Sequence, residues 1–184
     1  SFALEIMMEI NYPVTPGENI AMVNVGASIT SISIVYGGLT IFTRSIPMGG
    51  NQFTEEMQRQ LNVSFKDAED MKTGKKEAAE RDGLVSAIES VSNNLAFEVK
   101  RSLDFFLGGA QGSYVNKIYL SGGGSTVMGL REMMQDKISI PVDLADPFKN
   151  IEADAKQFDK ERLKLGAPYF GVAVGLATRR FADR

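Results

Sequence analysis

Two short glycine-bearing stretches hold the residues best suited to gripping a ligand. In Asn24-Val25-Gly26-Ala27-Ser28 a β-rich run meets a turn of small residues, where backbone N–H groups can approach a phosphate and a hydroxyl adds a donor. In Ser121-Gly122-Gly123-Gly124-Ser125 the apolar run Val115, Ile118, Leu120 passes through glycines into a helix N-terminus, a geometry that receives an anion or the flat face of a ligand. Taken singly, each also reads as a plain turn or connector, because short glycine motifs recur by chance.

Other chemistries are excluded by what is missing. The 184 residues contain no His and no Cys, so a Ser-His-Asp or Cys-His site, a histidine metal cluster and a disulfide are out of reach. Acid–base work would fall to carboxylates or Lys. Gly74-Lys75-Lys76 lacks both the upstream glycine and the following Ser or Thr of a P-loop. Val127 stands where the dinucleotide fingerprint needs its third glycine, and neither glycine stretch completes a nucleophile elbow. A net charge of −3 offers no general attraction for nucleic acid or anionic lipid. With no long apolar run and acids where a signal peptide carries bases, the chain reads as soluble and cytoplasmic.

The elements that must position the two turns follow from periodicity. Leu4, Met7 and Met8 predict a helix over 3–10, stopped by Pro13 and by Pro16-Gly17. Between Ile20 and Ile46 the pattern becomes that of strands, with Gly37-Gly38 as a hairpin, giving a three-stranded meander. Phe53, Met57 and Leu61 share one helical face that ends at Asn62, and Ser64-Phe65-Lys66-Asp67 caps a short helix that Gly74 ends. Residues 66–82 carry eleven charges in seventeen positions and read as a solvated face and loop. Leu84, Ile88, Val91, Leu95, Val99, Leu103 and Phe106 predict one long amphipathic helix closed by Gly108-Gly109. A strand at 115–120, a helix at 126–137, a strand at 141–144 and a helix at 168–181 complete the order. Gly171, Ala173, Gly175 and Ala177 would let another backbone come close to that last helix. Meandering strands followed by strands joined through helices make an α/β fold with a mixed sheet flanked by helices.

Together and in this order, the two turns resemble the second phosphate motif and the adenosine motif of the actin, Hsp70 and sugar-kinase superfamily. Val23-Asn24-Val25-Gly26-Ala27-Ser28, the run Phe42-Thr43-Arg44-Ser45-Ile46-Pro47-Met48-Gly49-Gly50-Asn51-Gln52-Phe53-Thr54, and Phe170-Gly171-Val172-Ala173-Val174-Gly175-Leu176-Ala177 resemble the PilM family of type IV pilus assembly proteins, relatives of the division protein FtsA. The resemblance runs through almost the whole chain. It implies an actin-like (ribonuclease H-like) fold with a small helical insertion, and an ATP-binding scaffold, with Mg, on the cytoplasmic side of the inner membrane. It further implies the second half of a two-part protein. Residues 1–17 would then be a connecting helix and linker from a preceding domain, and 18–184 the second domain with 62–108 inserted. The helix face of Phe2, Leu4, Met7 and Met8 would be left exposed, to fray or to pair with another copy.

By the same resemblance, Gly26, Ala27, Ser28, Gly49 and Gly50 would approach the phosphates. Gly122, Gly123 and Gly124 would border the adenosine, with Lys100 and Arg101 touching base and ribose; that last pair reads equally as a solvated polar face. No catalytic or metal-ligating residue is implied. The implied partners are the cytoplasmic tail of the membrane protein PilN, held mainly by the first half, together with other pilus assembly proteins and the pilus motor ATPases. Self-association is a further option. Asn24 stands where many superfamily ATPases carry Asp, and Ile29 where they often carry Thr, so the resemblance implies at most weak hydrolysis. The alternatives are a filament-forming division protein like FtsA, or an ATPase or small-molecule kinase of the same superfamily.

Overall fold

The computed structural model describes residues 2–13, 15–109, 114–152 and 159–179. Helix α1 (Phe2–Asn11) leads into β1 (Asn19–Val25), β2 (Thr30–Tyr36) and β3 (Leu39–Ile46). Three helices follow: α2 (Gly50–Leu61), α3 (Phe65–Lys72) and α4 (Arg81–Gly109). Then come β4 (Lys117–Ser121), α5 (Leu130–Ile138), β5 (Val142–Leu144), α6 (Lys160–Gly166) and α7 (Gly171–Ala177). The strands form one sheet in the order β3-β2-β1-β4-β5. The β1/β2 and β2/β3 pairs are antiparallel, whereas β1/β4 and β4/β5 are parallel.

Strand alternation sends side chains to two different cores. Ala21, Val23 and Val25 of β1, Ile32 and Ile34 of β2, and Ile118 and Leu120 of β4 share one face with α2, α3, α4 and α5. Met22 points the other way, into a smaller cluster with Leu4, Met7, Met8 and Val174 from α1 and α7, against which Ile20 and Tyr119 pack. The sheet is thus covered by helices on both faces. Residues 62–108 carry no strand, and their helices bury Ala68, Met71, Leu95, Val99 and Leu103 in the same core as the sheet.

The face of α1 is not left open. Leu4, Met7 and Met8 are buried and only Phe2 is exposed, because α7 of the same chain lies against them. The loop after β5 adds a tether: the Asn150 N–H donates to Asn11 Oδ1, and the Asp146 N–H donates to Tyr12 Oη at 2.8 Å.

Most predicted stops fall in place. Asn62 adopts the left-handed conformation that ends α2, and the Ser64 side chain accepts from the Asp67 N–H to open α3. Two helices begin later than the sequence pattern indicates. After β4 the chain makes a 3-10 turn over Gly123–Thr126, and Gly129, at φ +78°, delays α5 to Leu130. Ala167–Phe170 is likewise a 3-10 turn before α7, and Phe181 lies outside the described residues.

Candidate functional site

The turn after β1 and the turn after β4 are neighbours because those strands run parallel, with Asn24 in register with Ser121. β1 is also where pairing changes from antiparallel on one side to parallel on the other. In open α/β sheets, the crevice beyond the carboxyl ends of the strands at such a switch is where ligands sit. Here a cavity of about 470 Å³ lies there, lined by Gly26, Ala27, Gly50, Gly123 and Gly124 among others. Its size lies within the range usual for small-molecule sites, roughly 300–1,000 Å³.

Glycine is required at this place for a steric reason. A Cβ on Gly122, at φ +83°, would fall 2.5 Å from the Val25 carbonyl oxygen, and one on Gly124 would fall 2.5 Å from Val25 Cγ1. On Gly49 it would meet the Gly26 carbonyl oxygen at 2.5 Å. The three backbones can converge only without side chains.

The hydrogen bonds sort the expected phosphate donors. The Gly50 and Asn51 N–H groups, at the start of α2, donate to the carbonyls of Gly26 and Ala27, each at 2.8 Å. The Gly49 N–H donates to Gln52 Oε1 at 2.7 Å. Gly50 and Asn51 therefore staple α2 to the first turn while Gly49 closes the cap of α2 itself, so the N–H groups of Gly49 and Gly50 are already used. Among the described residues, the N–H groups of Ala27 and Ser28 have no such partner, and they are the donors left for an anion. Ser28 sits at the exposed edge, its Oγ accepting from Asn51 Nδ2 at 3.1 Å.

Lys100 and Arg101 are not brought to this cavity. α4 turns Val99 and Leu103 into the core, which leaves Lys100 exposed on the outer side, its Nζ 3.5 Å from the Lys137 carbonyl oxygen. Arg101 pairs with Glu98 at 2.9 Å. Both line a separate groove between α4 and α5.

The cations at the cavity come instead from α3 and its end, inside the run that the sequence presents as a solvated face. Lys72 has a side chain only 11% exposed, and its Nζ donates to Glu69 Oε1 at 2.5 Å, Thr54 Oγ1 at 2.8 Å and the Gly50 carbonyl at 3.1 Å. All three ammonium donors are thus satisfied, tying α3 to the first turn of α2. Burial works to raise the Glu69 pKa, but hydrogen bonds from Lys72 and Thr54 hold it below the usual carboxylate value. Lys75 lines the same cavity and is exposed. Phe65 and Tyr169 are exposed aromatics of the lining, and the Tyr169 ring packs on Gly123, with its hydroxyl 3.2 Å from Thr126 Oγ1. The spacing of Ala68 and Met71 was the signal available for Lys72, since it puts residue 72 beside the buried face of a short helix. No local pattern marks Tyr169, which reaches the site through the Gly122 N–H and the Ser121 hydroxyl, both donating to the Pro168 carbonyl.

Among the described residues Glu69 is the one carboxylate of this lining, and it is already engaged. Among the described residues there is no group of three or more acidic side chains that could hold a metal ion. The unbonded Ala27 and Ser28 N–H groups and the exposed Lys75 are donors of the kind that attract an anion.

A mixed five-stranded sheet covered by helices on both faces, with a glycine-lined crevice at its parallel strand ends, defines an actin-like domain. The chain belongs to the type IV pilus assembly protein PilM family, whose model matches residues 1–181. It is similar to a solved chain of a PilM-PilN type IV pilus biogenesis complex, with 30% identity and a TM-score of 0.83 over 96% of this chain and 50% of that one. The ethanolamine utilization protein EutJ from Carboxydothermus hydrogenoformans shares the fold at 18% identity and a TM-score of 0.67, over 96% of this chain and 52% of that one. MreB5 of Spiroplasma citri, solved bound to AMPPNP, does so at 15% identity and a TM-score of 0.60, over 95% and 56%. The chain thus spans about half the length of these structures. Among the described residues no helix is long and apolar enough to cross a membrane.

Proposed function

We propose that this chain forms one wall of the ATP site of a PilM-type scaffold on the cytoplasmic side of the inner membrane, where the nucleotide acts as a structural or switching ligand between two domains. The observation that carries the reading is the pair of glycine turns at the ends of β1 and β4, facing one cavity. Ala27 and Ser28 N–H groups would meet the phosphates, Lys75 would add charge, and Gly122, Gly123 and Gly124 with Tyr169 would border the adenosine. Lys72 would hold the turn that Gly50 makes. Mg would ride on the phosphates and water, as it commonly does where a protein offers few carboxylates. Support for ATP comes from the AMPPNP carried by the MreB5 structure of the same fold. Asn24 has no negative charge with which to orient an attacking water through a metal, so the reading is of binding without brisk turnover.

The division of labour follows the length of the related chain. Residues 1–17 would connect to a first domain, 18–184 would form the second, and 62–108 would be its inserted helical part. The complex that names PilN beside PilM makes a PilN-type cytoplasmic tail the natural partner, held mainly outside this chain. Calorimetric titration of ATP into this chain, with phosphate release measured in parallel, tests the site. Weak saturable binding without release above background is expected, since in this reading the chain supplies one wall of the cleft and each 1.4 kcal/mol or so of contact not made costs about tenfold. Sub-micromolar binding, turnover, or no binding even by the full-length protein would overturn the reading.

A further inference from the structure

We propose that the groove between α4 and α5 is a docking site for an acidic segment of a partner protein that carries an apolar anchor. The groove encloses about 690 Å³ and is larger than the glycine-lined cavity. It follows α4 from Asn93 to Asp104, a run about 16 Å long at the helical rise of about 1.5 Å per residue. That length suits about five extended residues or three helical turns of a peptide.

Its chemistry is uneven. Among the described residues, Lys100 and Arg101 from α4 and Lys137 from α5 line it, against the single carboxylate of Asp104. Glu98 occupies one side of Arg101, and the two lysines make no salt bridge among the described residues. In a chain of net charge −3, this local cationic excess selects an acidic ligand. Phe97, 64% exposed, stands in the same groove one helical turn before Arg101. An exposed aromatic beside an arginine is the composition of interface anchor points rather than of ordinary surface. An apolar side chain on Phe97, with carboxylates on Lys100, Arg101 and Lys137, uses every one of these features.

The test uses the full-length protein in its cells of origin. A photoreactive p-benzoylphenylalanine replaces Asn94, and the crosslinked segment is identified by mass spectrometry. The expected product is a segment of another protein with excess Asp and Glu around an apolar residue. The synthetic peptide of that segment should bind and lose about tenfold in affinity on Lys137→Glu or Phe97→Ala; exchanging a peptide acid for Lys should recover binding to Lys137→Glu and not to Phe97→Ala. Melting temperature and ATP affinity should not move. No crosslink, a basic or uncharged segment, lipid, or a second copy of this chain would overturn the proposal. So would a fall in ATP affinity on Lys100→Ala, which would return these cations to the nucleotide.

Discussion

At the ends of β1 and β4, Gly122 and Gly124 bring two turns together around a cavity, while on the opposite face Gly171 and Gly175 bring two helices together and close the space between them. The residue type is the same and so is the steric demand. The surroundings differ: the first place is edged by Lys75, Thr126 and Tyr169, the second by Leu4, Met7 and Val174. A glycine that permits close approach becomes part of a binding site only where polar groups and open volume remain next to it. Substitutions can separate the two cases.

The largest effect is expected from Gly175→Ala. A Cβ there would lie 1.7 Å from the Ala3 carbonyl oxygen, and a backbone atom in a helix cannot step aside as a side chain can. α1 and α7 must part, loosening the contact that buries Leu4, Met7 and Met8. A loss of about 3 kcal/mol, or about 6–12 °C in melting temperature for a chain of this size, is expected. Scanning calorimetry checks it. In the full-length protein the same change tests whether the contact of α1 with α7 also bears on the proposed nucleotide site: ATP affinity should then fall with stability, and an unchanged affinity would leave the glycine a purely packing role.

Gly122→Ala should come next, at about 2–3 kcal/mol, because it combines a positive φ with a 2.5 Å approach to the Val25 carbonyl. Its distinguishing outcome is in binding. The displaced turn belongs to the cavity, so ATP affinity should drop at temperatures where the variant is still folded. If binding survives intact, the crevice at β4 is not the nucleotide site.

Much of this was legible in the sequence, and the misses have a physical pattern. Period-two alternation in 20–36 and period-3.6 recurrence in 84–106 give the sheet and α4, since burial on one face dictates both. The two glycine turns stood out because only strand ends followed by small residues make such a crevice. What could not be read was which charged side chain faces it. Lys100 and Lys72 both sit one residue after a buried hydrophobe, Val99 or Met71. Only packing of α3 across the start of α2 turns Lys72 inward, and nothing local encodes that packing. The exposure expected for Leu4 and Met8 failed for the same reason, as their partner, Val174, lies some 170 residues away. The later starts of α5 and α7 arise where a glycine at φ +78° and a 3-10 turn intervene, details that periodicity smooths over.

A smaller effect, at about 1–2 kcal/mol, is expected from Lys72→Met, which keeps the stem in place but leaves Glu69, Thr54 and the Gly50 carbonyl without their shared donor. Lys75→Ala should cost no measurable stability, because Lys75 is exposed and lies beyond the end of α3. Both should weaken ATP binding, the first through the shape of the Gly50 turn and the second through charge alone. Titrations at two salt concentrations separate them: the deficit of Lys75→Ala should shrink as salt screens the lost attraction, and that of Lys72→Met should not.

The smallest effect is the acid limb of stability at Glu69. Its carboxyl is held below its ordinary value of 4.5 by the bonds from Lys72 and Thr54, which outweigh the opposing push of burial. A carboxyl whose pKa is lowered by folding binds its proton more readily in the unfolded chain. The stability it adds is therefore complete above about pH 4.5 and disappears as the pH falls through the depressed folded value. With its side chain 33% exposed, solvent screens much of the gain, so the change is modest. Glu69→Gln should flatten the decline of melting temperature below about pH 4.5, and it should leave unchanged the decline contributed by Glu56, whose pKa is held at about 2 by Arg59 on the outer face of α2. An acid limb that is as steep in Glu69→Gln as in the parent would mean that the Lys72–Glu69 bond contributes no folding energy and serves only to place the lysine.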